Sequence, residues 1–386
     1  MSLDPTWRET FVKRMIDWGA EQRPHLPWRL TDDSGRRDPY RVWVAEIMLQ
    51  QTTAATVGPY FERFLARFPT VAALAAAPLD DVLKAWEGLG YYARARNLHR
   101  AAQIVVRDHG GELPDDPKAL AKLPGIGRYT LGAILSIAFG RRAPILDGNV
   151  RRVLARVFAV QEDARAPATE RRLWALAQEL VEAADAPGAF NEGLMDHGAL
   201  ICVPGRPRCL ACPVADLCGA YALGLQEQLP VLPPRKPTPH YDVTAGVIWR
   251  GETFLVAQRP LHKMLGGLWE FPGGKCDAGE TLQECLRREL REELDIDVAV
   301  GAHVTTVRHA YTHFRITLHA FHCEIAAGEP RAVDVADIAW TTLGDVDRFA
   351  MAVTDQAIVA ALRQEGSTQR RKGAEEEKTG QDSETP

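Results

Sequence analysis

Residues Leu229 to His240 (LPVLPPRKPTPH) carry five prolines in twelve positions, and they separate two stretches of chain with different hydrophobic periods. Proline fixes φ and withholds an amide donor, so such a run favours a stiff, extended connector over a helix or an inner strand. Before it, apolar residues recur at helical spacing, as in residues 59–68 (PYFERFLARF) and 131–139, with Gly and Pro punctuating the ends. After it, strand-like runs at 243–249, 254–258 and 316–323 surround one helical segment, 281–294. A chain of 386 residues is also too long for one ordinary core. The expectation is a multidomain protein: an all-α domain over 1–228, a linker over 229–240 and an α+β domain over 241–364. Residues 365–386, rich in Gly, Ser, Lys and Glu and without an aromatic ring, have the composition of a disordered tail.

No apolar run approaches the ~18 residues that span a bilayer, and the first residues, MSLDPTWRETFVKRM, lack the apolar stretch of a secretory signal. The expected location is the cytoplasm, away from membranes. The net charge of −5 is uneven: residues 1–230 hold 28 Lys/Arg against 27 Asp/Glu, and the rest 18 against 24. Bulk charge therefore does not suggest a polyanionic partner, and any such role must rest on local features. Taken singly, the arginine clusters Arg94/Arg96/Arg100, Arg141/Arg142 and Arg151/Arg152 read as solvated helix faces.

Four of the seven cysteines, Cys202, Cys209, Cys212 and Cys218, form C-x6-C-x2-C-x5-C just before the proline-rich segment. Four thiolates in one short loop bind a soft metal. Zinc ribbons pair two C-x2-C knuckles, whereas only one is present here, and ferredoxin spacings do not match. Cys276, Cys285 and Cys323 are scattered and read as free thiols.

Three further segments carry chemistry. Residues 123–130 (LPGIGRYT) set Gly125 and Gly127 in a short turn between helical stretches, and exposed amides at the next helix start can hold an anion. Alone, this is also an ordinary inter-helix turn. In residues 145–152 (ILDGNVRR), Asp147 by default caps the helix that follows. In residues 43–52 (WVAEIMLQQT), Glu46 is a lone glutamate among apolar neighbours, so desolvation raises its pKa as a general acid requires. Otherwise it is an exposed position on an amphipathic helix.

Together these segments resemble the helix-hairpin-helix superfamily of DNA repair glycosylases that includes endonuclease III and, within it, the MutY family; the likeness covers nearly all of residues 7–220. It implies that the four cysteines of the 202–218 loop ligate a [4Fe–4S] cluster, with Arg206 and Arg208 presented to DNA phosphates. It implies that the 123–130 turn clamps a phosphate, that Glu46 protonates adenine, and that Asp147 faces the sugar of the flipped nucleotide. A carboxylate suits that role because breaking an N-glycosidic bond leaves positive charge on the deoxyribose. Tyr129 stands where endonuclease III-like enzymes carry a Schiff-base lysine, so the implied enzyme is monofunctional. Asn149 matches a residue near the catalytic aspartate, and Leu26, Trp28, Arg29 and Glu192 match positions lining the adenine pocket. Gln51, Thr52, Leu89 and Tyr91 match residues that wedge the duplex or touch the opposing base; each alone also suits a core. The implied partner is double-stranded DNA with an 8-oxoguanine:adenine or guanine:adenine mispair, bound by a monomer at a bacterial nucleoid.

Residues 241–362 resemble a Nudix fold, and Tyr311-Thr312-His313 stands where the MutY C-terminal domain has Phe-Ser-His, which makes Thr312 a contact to 8-oxoguanine. A nearly complete Nudix box runs from Gly274 through Glu280, Arg288, Glu289, Glu292 and Glu293, and departs at Asp295, where glycine is usual. Glu289 and Glu293 are one helical turn apart with Glu292 beside them, a pattern able to hold Mg2+ near a diphosphate. Two readings stand: a scaffold used only for binding, or a domain that also hydrolyses oxidised nucleoside triphosphates. A DNA-binding scaffold without catalysis is a third, against which the presence of both Glu46 and Asp147 counts.

Overall fold

The computed structural model describes residues 3–22, 25–233 and 237–366. Pro234 to Lys236 of the proline-rich segment, and the expected tail from 367 onward, lie outside the described residues. Residues 353–366 are helical, so the expected start of the tail at 365 falls inside a helix. No described helix is long and apolar enough to cross a membrane.

Packing divides the chain into two units, one from residues 1–77 and 97–235, the other from 78–96 and 236–386. The expected cut at the proline-rich segment is thus not the whole division, because residues 78–96 group with the C-terminal unit. Hydrogen bonds that no local periodicity reveals account for this. Lys84 Nζ donates to the Phe349 carbonyl at 3.0 Å, the Met351 amide donates to Glu87 Oε1 at 2.8 Å, and Gln258 Nε2 donates to Asp80 Oδ1 at 3.0 Å.

The N-terminal unit is helical. Helix α1 (Pro5–Ala20) starts on Asp4, whose carboxylate accepts from the Trp7 amide, with proline at the first helical position. Helix α2 (Pro39–Leu49) is capped the same way by Asp38 and buries every residue from Val42 to Met48, Glu46 among them. Such a helix shows no amphipathic stripe because protein surrounds it on all sides. Helix α3 (Arg128–Ile137) follows the glycine turn, with Gly127 at its N-cap and no side-chain cap on its first amides. Helix α4 (Gly148–Val157) is capped by Asp147, and helix α5 (Pro187–Leu200) crosses α1 closely. A Cβ on Gly19 would meet Gly193 Cα at 2.8 Å, so this approach requires glycine and sets where the rest of α5 projects. Phe11, Met15, Val150, Leu154, Leu173 and Phe190 fill the shared core.

The C-terminal unit is a mixed sheet with apolar layers on both faces. Strands β1 (His240–Arg250), β2 (Thr253–Gln258), β3 (Trp269–Glu270), β4 (Asp297–Ala310) and β5 (Arg315–Ala327) run in the order β3-β2-β1-β5-β4, and β6 (Asp337–Thr341) pairs with β2. Among the described strands only β1 and β5 pair in parallel. Helix α6 (Leu282–Leu294) begins in a capping box of Thr281 and Glu284 and packs Leu286, Leu290 and Leu294 with Ile248, Leu255 and Phe321. Phe254, Leu318, Ile358 and Leu362 belong to a second core cluster. Helix α6 ends on Asp295 at φ +56°, the left-handed conformation that explains why glycine is usual there; its carboxylate pairs with Arg331.

Candidate active site

Glu46 lies on α2 at 4% exposure, and the Tyr129 hydroxyl of α3 donates to its Oε2 at 2.8 Å. Burial is the main force on it. Together with the nearby carboxylates of Glu192 and Asp147 it pushes the Glu46 carboxyl up to about 7, against the opposing pull of Tyr129 and Arg29. An acid poised there can give up a proton near neutral pH and be reprotonated. The Tyr129 hydroxyl also meets Met195 Sδ at 3.0 Å, which holds the ring in place.

Asp147 fulfils its default role and remains in the cleft. Its Oδ1 accepts from the Val150 amide at 2.7 Å, capping α4, and burial raises its carboxyl above the usual range despite that bond and the nearby Arg152 and Arg151. The cap fixes the carboxylate at the head of the helix. Gly198 of α5 sits so close to Asn149 that a Cβ there would meet Asn149 Cβ at 2.7 Å, which seats the start of α4 against α5.

Both carboxylates open onto one cleft of about 1050 Å³. Leu26, Trp28, Arg29 and Glu192 line it, as do Tyr129 and Asn149. So do Gln51, Thr52 and the turn glycines Gly125 and Gly127. Gly125 has φ +83° and Gln51 φ +60°, so both stretches of wall are tight turns. Leu89, Tyr91 and Thr312 fall in the other unit. There Leu89 is buried, whereas Tyr91 is 41% exposed at φ +50° and its hydroxyl hydrogen-bonds Thr312 Oγ1.

The four cysteines of the 202–218 loop line a single small cavity with Arg156 and His197. Burial disfavours the thiolates of Cys209, Cys212 and Cys218, with Cys212 pushed up to about 12, and Arg156 Nη1 lies 3.3 Å from Cys202 Sγ. Among the described residues no three His, Cys, Asp or Glu side chains are arranged to hold one metal ion.

The Mg2+ expectation for Glu289, Glu292 and Glu293 finds no support in this arrangement. A guanidinium already neutralises part of this cluster: Arg288 pairs with Glu280 at 2.7 Å, Glu289 at 2.9 Å and Glu292 at 3.4 Å. Glu293 instead accepts from the Gly273 amide at 3.0 Å.

A profile described as HhH-GPD superfamily base excision DNA repair protein matches residues 44–179, and one described as NUDIX domain matches 244–361. The adenine DNA glycosylases of Rattus norvegicus and Homo sapiens are each 35% identical over 86% of this chain, and it covers 74% and 70% of their lengths. That of Schizosaccharomyces pombe is 30% identical, over 89% of this chain and 87% of its own. The chain belongs to the adenine DNA glycosylase family. It is accordingly a DNA glycosylase of base excision repair, with a helix-hairpin-helix domain and a Nudix domain. A solved thermostable thymine-DNA glycosylase is 33% identical with a TM-score of 0.50, covering 56% of this chain and 98% of that one. A relative named for another base thus shares the helical fold, so what distinguishes this chain lies in its side chains, those around the cleft among them.

In this adenine DNA glycosylase family member, sequence reading missed several of those side chains. Asp196 and Arg37 hold Arg29 and Glu192 in buried ion pairs; the i, i+4 spacing of Glu192 and Asp196 was the available signal. The expectation that Arg94, Arg151 and Arg152 face solvent is corrected. Arg152 donates to Asn149 Oδ1 at 2.8 Å, the Gly198 carbonyl at 2.6 Å and the Cys202 carbonyl at 2.7 Å. Arg151 pairs with Glu170 at 2.7 Å, and Arg94 is buried against the Leu89 and Gly90 carbonyls. Backbone carbonyls are acceptors that sequence does not display, which is why these arginines read as solvated.

Proposed function

We propose that the enzyme removes adenine paired with 8-oxoguanine or guanine in double-stranded DNA, by acid-assisted hydrolysis without strand cleavage. The carrying observation is that Glu46 and Asp147 line one cleft, the first with its carboxyl at about 7, while the nearest hydroxyl partner is Tyr129 where an amine would be needed for a Schiff base.

In this reading an extruded adenine enters between Trp28, Arg29 and Glu192, which supply an aromatic face and a donor and acceptor for the base edge. Glu46 transfers its proton to a ring nitrogen, so the bond from C1′ to the base breaks with neutral adenine leaving. Asp147 stabilises the positive charge left on the deoxyribose. Water then adds at C1′ and yields its proton to a carboxylate, leaving an abasic site and the acid restored. Tyr91 and Thr312 are the proposed readers of the opposing 8-oxoguanine.

Cys202, Cys209, Cys212 and Cys218 would hold a [4Fe–4S] cluster. Four thiols around one cavity, disfavoured by burial as bare anions, supply soft donors suited to a bound cation, and their unequal spacing in the chain favours a cluster over a zinc ribbon. Bound there, the cluster supplies a covalent anchor for the loop rather than a reacting group.

The test is release of adenine from an 8-oxoguanine:adenine duplex, read as alkali-dependent nicking, with a borohydride-trapping arm. Nicking without alkali or efficient trapping would overturn the monofunctional reading. A colourless, zinc-loaded preparation would overturn the cluster.

A further inference from the structure

Four charged side chains drawn from three places in the sequence stand together, and three of them, Arg29, Glu192 and Asp196, line the cleft. Arg29 Nη1 donates to Asp196 Oδ2 at 2.7 Å, and Arg29 Nε lies 3.2 Å from Glu192 Oε1. Arg37 Nη2 reaches the other oxygen of Glu192 at 3.1 Å, and its Nη1 meets the Trp28 carbonyl at 3.4 Å. The Arg29, Glu192 and Asp196 side chains are each under 15% exposed. Two guanidiniums and two carboxylates cancel, which is what makes burying all four tolerable.

Arg29 Nε is buried and faces Glu192 Oε1 at ion-pair distance, without the alignment of a good hydrogen bond. Glu192 meanwhile spends both oxygens facing arginines, so its orientation is set from two sides.

We propose that Asp196 and Arg37 are positioning residues of adenine excision: they hold Arg29 and Glu192 as a fixed donor and acceptor for the base edge and keep the charge beside Glu46 balanced. This rests on reading Glu46 as the acid. The groups that act on Glu46 are the Tyr129 hydroxyl of α3, Asp147 at the head of α4, Arg29 in the 27–29 turn and Glu192 on α5; Arg128 and Arg152 also line the cleft. Among these, Arg29 lowers and Glu192 raises the proton affinity of Glu46. Removing the partner of either one therefore unbalances the site in opposite senses. Without the Asp196 charge, Arg29 acts more strongly and Glu46 loses its proton at lower pH. Without the Arg37 charge, Glu192 acts more strongly and Glu46 keeps its proton to higher pH.

The experiment is single-turnover adenine release by the full chain across a range of pH, with folding checked by thermal melting. Asp196→Asn is expected to move the alkaline fall-off down, and Arg37→Gln to move it up, each by about one pH unit, the scale of one uncompensated charge in a partly shielded site. The double variant, again neutral, is expected to return to the wild-type midpoint, and so is Arg37→Lys. Shifts of the same sign, or lower plateaux with unmoved midpoints, overturn the proposal, because a merely structural role would give those. If Asp196→Asn does not fold, Arg37→Gln decides alone: an upward shift supports, an unmoved midpoint overturns. Wild-type rates from Glu46→Gln would overturn the acid reading itself, and the proposal with it; a dead Glu46→Gln beside same-sign shifts overturns the proposal alone.

Discussion

Glu46 in the helical unit and Glu280 in the sheet unit are the same side chain with opposite partners. Glu46 is enclosed and receives a hydrogen bond from a neutral tyrosine hydroxyl, and burial pushes its carboxyl up to about 7. Glu280 receives Arg288 Nε at 2.7 Å and Nη2 at 2.9 Å together with the Asp277 amide, and it is pulled down to about 2. A hydroxyl satisfies an oxygen without cancelling its charge, whereas a guanidinium does both. At these two positions the helical unit keeps an acid able to move a proton near neutrality and the sheet unit keeps a carboxylate committed to an arginine; burial raises Glu293 of the sheet unit to about 7 as well, with a backbone amide rather than a guanidinium as its partner.

The comparison breaks most directly at Glu46. Glu46→Gln keeps the shape and removes the proton, and single-turnover adenine release should fall by about 10²–10⁴-fold, the usual scale for general acid catalysis; a near-wild-type rate would end the contrast. Asp147→Asn should cost roughly 10²–10³-fold, the scale of a lost electrostatic stabiliser. Asparagine caps a helix about as well as aspartate, so the melting temperature should move little, which separates the capping role of Asp147 from the chemical one.

The acid role also fixes a sign for pH. Glu46 must be protonated to act, so release should decline as pH rises through about 7 and hold steady below it. Stability follows the same window: a carboxyl raised in the folded state binds more protons there than in the unfolded chain, so its contribution is full below the ordinary value of 4.5 and is lost as pH rises to about 7. Thermal melts between those limits measure it, and an increase in stability across that window attributable to Glu46 would contradict the assignment. A smaller effect belongs to Tyr129→Phe. Loss of the hydroxyl removes a bond that lowers the Glu46 pKa, so the alkaline limb should shift upward; a downward shift would mean that the tyrosine does more than share a hydrogen bond. The smallest effect is expected at Glu280→Gln, which should leave adenine release unchanged, and a clear loss would give the sheet carboxylates a part in excision.

The sequence made some of this plain and hid the rest for physical reasons. A glutamate between Ala45 and Ile47 announces a desolvated acid, and Thr281 with Glu284 announces a capped helix, because both effects act over a few residues. Four cysteines in one loop and two glycines before Arg128 are equally local. By contrast, β4 and β6 carry weak alternation, since β4 is largely exposed, and they were not anticipated. Residues 78–96 were read with the helical domain because their bonds to Phe349 and Met351 lie more than 250 positions away. The Nudix-like glutamates had the right spacing for a cation, yet Glu289 and Glu292 face Arg288 of the same helix and Glu293 a backbone amide.

From its sequence alone, then, this protein's candidate acids, helix caps and clustered thiols follow from short stretches of chain, because hydrogen-bonding and helical spacing are local properties. Tertiary structure decided which charges remain available: it brought Arg37, Arg29, Glu192 and Asp196 into one neutral quartet and left Glu46 with a hydroxyl. Proton affinity depends on burial and on distance to other charges, and both are properties of the folded molecule rather than of the order of its residues.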